Sequence, residues 1–170
     1  MSLYEQTVPQ FVKMLRNLEA WLAKGSELAE NKSFDVAVLM QARLAPDQHP
    51  LLRQVQIACD SAKFGAVRLT GKEGPKHPDT EQTLDELKPR IASCIGFLES
   101  LRPADFEGAE TRKVSLPFLE GKFMHGKDYL VEFVLPNFYF HMTTAYAILR
   151  HNGVDVGKMD FLGKLPLHEA

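Results

Sequence analysis

The stretch from Phe133 to Leu149 contains no aspartate, glutamate, lysine or arginine, and it constrains the fold more than any other part of the chain. A helix with no charge on any face is either enclosed by protein or crosses a membrane. This one is shorter than the roughly 20 residues a spanning helix needs. It also carries Pro136, Asn137, His141, Thr143 and Thr144. An enclosed helix is therefore expected, with no membrane as partner.

Enclosure needs partner helices, and the rest of the chain supplies apolar stripes for them. Ser2 and Glu5 have the spacing of a capping box. Tyr4, Val8, Phe11, Leu15, Leu18 and Leu22 then recur in steps of three and four, one face of a helix. Pro9 predicts a bend or a frayed first turn. Gly25 is one candidate end, and Leu28 and Ala29 continue the stripe beyond it. The segment Phe34 to Leu44 predicts a turn or two of helix, stopped by Ala45-Pro46-Asp47. The second long helix is expected from Pro50, along Leu51, Val55, Ala58, Ala62, Ala66 and Leu69, to Gly71.

A glycine- and proline-rich loop, Gly71 to Pro78, follows. Asp79 and Gln82 have capping-box spacing. The third helix shows Leu84, Leu87, Ile91, Cys94, Leu98 and Leu101, ends at Arg102-Pro103, and is expected to kink or split at Pro89. Between Thr111 and His125 the pattern alternates, predicting a small hairpin or extended excursion. A helix resumes near Lys127, restarts at Pro136 and runs to His151, with Gly153 as its cap. The tail is expected to pack across the bundle through Met159, Phe161 and Leu162. Four amphipathic helices bury their stripes most economically as an all-α four-helix bundle, antiparallel or with a crossover, in one domain over 1–170.

A chain of 170 residues can bury about 70% of its unfolded surface, so it needs no disulfide or metal to fold. Its 20 basic and 22 acidic residues give no electrostatic reason to expect nucleic acid. Cys59 and Cys94 fall in apolar-periodic segments and are expected as buried, reduced thiols. No basic start leads into an apolar core at the N-terminus. A cytoplasmic protein is expected.

The sequence has no Cys-x-x-Cys, His-Glu-x-x-His, Glu-x-x-His or Gly-x-Ser-x-Gly motif and no glycine-rich phosphate loop. Of six histidines, His49, His77, His125, His151 and His168 lie in expected loops or at helix ends, where an exposed or capping role is ordinary. His141 differs, because Phe138 and Asn137 one turn back, and Thr144, Ala145 and Ile148 further on, share its otherwise core-like face. Two readings stand. It is a core histidine satisfied by a hydrogen bond, or it lines a pocket as a ligand-anchoring or acid/base group. Gln54, Gln56 and Asp60 on the second helix, and Tyr146 on the last, are its candidate neighbours, with solvated surface as the alternative for the helix-two residues. Such a cluster would hold a polar ligand better than a metal, since catalytic zinc takes three protein ligands.

The stretch Pro136 to Val154, with Gly157-Lys158 and Asp160 to Gly163, resembles a bacterial and fungal family of uncharacterised proteins within the DinB-like superfamily. Arg43 to Asp47 and Gln54 to Asp60 resemble its other signatures. The resemblance implies a four-helix bundle with a long crossover, often a homodimer. DinB-like relatives commonly carry nickel or zinc on three histidines, one on helix two and two a turn apart on the last helix. Some are thiol-dependent transferases or isomerases. Here His141 matches the first histidine of the last-helix pair. Ala145 stands at the second position, and Gln54 or Gln56 stands in the helix-two ligand region.

Three functions follow as expectations. The first is a small-molecule-binding or enzymatic bundle with a polar pocket at His141, where the metal site has degenerated. The second is a metalloenzyme recruiting further ligands such as His49 or Asp60. The third is a non-catalytic dimeric structural or stress-response protein.

Overall fold

The computed structural model describes residues 2–169, so the outermost positions of the expected 1–170 domain lie outside it. Helix α1 spans Leu3–Asn31, α2 Ala37–Gln41, α3 Leu51–Thr70 and α4 Leu84–Ser100. After a 3₁₀ turn at Pro103–Phe106 come the short strands β1 (Lys113–Val114) and β2 (Met124–His125), paired antiparallel. One turn of α5 (Gly126–Asp128), a π-helical turn (Tyr129–Val134) and α6 (Leu135–His151) form one continuous rod, and α7 (Lys158–Leu162) closes the chain. No described helix is long and apolar enough to cross a membrane.

Ser2 and Glu5 cap α1 reciprocally, as their spacing predicts. The helix passes Gly25 because Leu39 and Leu149 pack against it there, and a Cβ would only touch them. Pro9 and Pro89 both lie inside helices, on exposed positions where water can take the carbonyl each leaves unbonded. Helix α4 is accordingly one piece. Its capping box is Thr83 with Glu86, not Asp79 with Gln82, and Asp79 is drawn away by Arg53 and Arg90. In the tail, Phe161 stacks on Trp21, while Met159 is 65% exposed. Val154 and Val156 take the buried places instead.

Cross-helix contacts give the topology. Phe11 meets Phe138 and Trp21 meets Tyr146, so α1 and α6 run parallel. Gln54 meets His141 and Ser61 meets Asn137, so α3 and α6 are antiparallel. Arg90 reaches the Gln56 carbonyl and Cys94 that of Cys59, so α3 and α4 are parallel neighbours. The connection 71–83 must therefore run back along α3. It does so as a strap, with His77 against Lys63, Glu81 against Gln56 and Asp79 against Arg53. It is the long crossover connection that the sequence resemblance implied. The core between the four long helices includes Phe11, Trp21, Leu22, Val55, Leu87, Ile91, Phe138 and Ile148. Cys59 and Cys94 are free and buried within it.

Candidate functional site

His141 points from the middle of α6 toward the start of α3 and is 8% exposed. Its ring nitrogen Nδ1 lies 2.7 Å from Gln54 Oε1. The Gln54 amide nitrogen donates to the His49 carbonyl at 3.0 Å. That second bond fixes the amide orientation, so Oε1 must accept and Nδ1 must carry the proton. Nε2 then holds the lone pair, and it has no protein partner among the described residues. Burial, reinforced by the nearby His49 and Arg53, pushes the imidazole pKa down to about 4. Gln54 lies in the first turns of α3, whose unpaired N–H groups add positive potential of the same sign. His141 is thus a neutral imidazole at physiological pH. It is a good hydrogen-bond acceptor and a weak base.

The structure separates the other candidates. Gln56 sits two residues beyond Gln54, roughly 200° around the helix. It accepts from Arg53 at 2.9 Å and donates to Glu81 at 3.0 Å. Asp60 shares that face and pairs through Oδ1 with Lys63 at 2.8 Å and Arg90 at 2.9 Å. Neither bonds to His141. Gln54 and Gln56 are buried, not solvated. Tyr146 packs on Trp21 and Phe161, and its hydroxyl donates to the Val156 carbonyl at 3.4 Å. Its role here is to hold the tail. His77 is neither exposed nor a cap, since it is half-buried, accepts from Lys63 and contacts Ser93.

Arg90 and Lys63 did not emerge from the sequence as buried ions. Arg90 is 2% exposed and pairs with Asp60, Asp79 and Glu81. Its position was readable, because it follows Leu87 by three and precedes Cys94 by four. The cross-seam pairs Ser61–Asn137 and Arg68–Tyr129 were also unforeseen. Ser61 and Arg68 follow Gln54 at intervals of seven residues, which places all three on the α3 face that meets α6 and the π turn.

The DinB-like metal arrangement asks for three imidazoles at this place. Here the donors are one imidazole and an amide oxygen already engaged with it, and Ala145 supplies none. That donor set does not fit a three-histidine zinc or nickel centre. Among the described residues, no group of three or more His, Cys, Asp or Glu is placed to hold an ion.

The comparisons agree with the topology. A search of curated proteins gave no match. A crystal structure of a DinB family member protein from Shewanella denitrificans is 52% identical, over 99% of this chain and 96% of that one, with a TM-score of 0.96. The family of domains of unknown function DUF1993 matches residues 3–162. With this length of match, the same bundle and the same crossover, the chain belongs to DUF1993, a family of DinB-like helical bundles.

Proposed function

We propose that this protein binds a small polar molecule at His141, using the neutral imidazole as an acceptor for a ligand O–H or N–H. The observation that carries the reading is the Gln54–His141 bond of 2.7 Å. It fixes the tautomer and leaves the Nε2 lone pair available to a donor from outside the chain. A pKa of about 4 favours binding over general-base catalysis, which works best near the ambient pH. Gln54 is the positioning residue. Gln56, Asp60 and Tyr146 act at a distance, by shaping the neighbouring helices. The two free thiols support a reducing, cytoplasmic setting.

The metal-dependent reading is tested directly. Protein purified without a histidine tag and dialysed against zinc or nickel should retain much less than one equivalent. Stoichiometric metal that disappears in His141→Ala would overturn the degenerate-site reading. For the binding reading, a small-molecule screen by NMR should yield ligands that shift the His141 ring signals and lose affinity in His141→Ala. Ligands unaffected by that variant would remove it.

A homodimer is favoured by one further observation. The outward face of the π turn and α6 carries Phe133, Pro136, Phe140, Thr143 and Ala147 in steps of three and four, without charge. Phe140 is 54% exposed on that face.

A further inference from the structure

The seam between α3 and the π turn opens two turns of α3 beyond Gln54, into a cleft of about 130 Å³. Ile57, Ser61 and Phe64 line it from α3, and Tyr129 and Phe133 form the wall from the π turn. The two wall rings stack at 5.8 Å and 17°, because the widened π turn brings residues four apart onto one side. Gly65 lets this wall come close. A Cβ at that position would fall 2.6 Å from Val134 Cγ1.

Arg68 also lines the cleft. Its Nη1 donates to the Tyr129 hydroxyl at 3.1 Å, and its guanidinium lies 5.2 Å from the Phe64 ring centre. No carboxylate pairs with it among the described residues. It is therefore a positioned guanidinium without a counter-ion. Asp60 also borders the cleft, but Lys63 and Arg90 both offset its charge, so Arg68 sets the sign of the field. At the other end Asn137 donates its amide N–H to Ser61 at 2.7 Å, which leaves its Oδ1 to accept from a ligand.

We propose that this cleft binds a small organic carboxylate bearing a single ring, with the carboxylate on Arg68 and the ring between Phe64, Tyr129 and Phe133. The guanidinium fork matches a planar carboxylate with two parallel N–H bonds. At about 130 Å³ the cleft is a little smaller than a cavity of about 150 Å³ that accepts benzene, so it holds at most the ring of such a ligand. A hydroxyl or amino group on the far side of the ring would reach the Asn137 Oδ1 and the free oxygen of Asp60. The site is distinct from His141, and it stands or falls separately from the reading above.

Benzoate is the probe, titrated into the full chain and followed by backbone NMR. Saturable shifts are expected at Gly65, Arg68 and Tyr129 to Val134. Arg68→Gln should weaken binding about tenfold or more, and benzyl alcohol, the same ring without the charge, should bind weaker by a similar factor. Arg68 is half-buried, and an unchanged spectrum away from the cleft will show that Arg68→Gln folds. Phe64→Ser, at a 40% exposed position, is a second variant expected to weaken binding. The proposal is overturned by absence of saturation, by equal affinity in Arg68→Gln, by equal affinity for benzyl alcohol, or by shifts centred on His141 that vanish in His141→Ala.

Discussion

At the scale of the residue, His141 shows how burial and one hydrogen bond decide what a side chain can do. Its folded pKa of about 4 lies below the ordinary 6.5, so the unfolded chain takes up the proton first as pH falls. Between pH 6.5 and about 4 the unfolded state binds more protons, and stability drops as the medium acidifies. For a group only 8% exposed, the full shift is worth roughly 3 kcal/mol. His141→Asn should flatten the stability profile across that window, as read by urea denaturation at a series of pH values. In the NMR spectrum of the native protein, His141 should keep neutral-ring shifts from pH 8 down to 5. A His141 signal that titrates near 6.5 would contradict the buried, donor-locked geometry. The oddness of His141 was legible in the sequence from its apolar neighbours. The choice of partner was not, because Gln54 and Gln56 are equivalent as letters and differ only in which side of α3 they occupy.

At the scale of the element, two contacts carry most of the specificity. Helix α3 meets the π turn at Gly65, where Val134 is stiff at its branched Cβ and cannot swing aside. Gly65→Ala should cost about 1–3 kcal/mol in a thermal or urea melt, and adding Val134→Ala should recover part of that loss. No recovery would mean that the close approach is not what Gly65 provides. The strap along α3 depends on Arg90. Burial pushes the Asp79 and Glu81 carboxyls up, but bonds from Arg90, with Arg53 on Asp79 and Gln56 and a backbone N–H on Glu81, outweigh it and hold both below their usual range. Their contribution is present above the ordinary carboxylate pKa and is lost as pH falls through the lowered values. Protection of the amides across 71–83, measured relative to intrinsic exchange, should therefore be lost in acid before that of α1. Arg90→Met should destabilise by about 1.5–3 kcal/mol, since it removes charged hydrogen bonds to three partly buried carboxylates that keep Lys63, Arg53 and Gln56 as partners. The helices themselves were readable from their stripes. The strap was readable only as a loop, because ion pairs between residues far apart in sequence leave no periodic trace.

At the scale of the whole molecule, the uncharged stretch that required enclosure is enclosed on one side only. Phe138, Met142, Ala145 and Leu149 face the core, whereas Pro136, Phe140 and Thr143 face outward. A second copy covering that outward face would account for the missing charge. Sedimentation equilibrium should show a dimer that Phe140→Glu dissociates, with helix content unchanged. A monomer at all concentrations would leave the face unexplained and remove the homodimer reading. Length, stripes and loops gave a bundle without revealing which helices run side by side. That depended on the direction of the strap, and so on Arg90, whose burial the composition conceals.

The parallel run of α3 and α4 also has a kinetic consequence. Neighbours joined by a tight turn can zip from that turn outward, but parallel neighbours must first close the whole intervening loop. Formation of the α3–α4 contact is thus expected late on the folding route, with Arg90 variants speeding unfolding more than they slow refolding. Lengthening the strap near Glu73 with glycine and serine should change the refolding rate only slightly, because closure entropy grows slowly with length. What keeps the two helices together once folded is the polar fastening, and the lifetime of the native state should follow it.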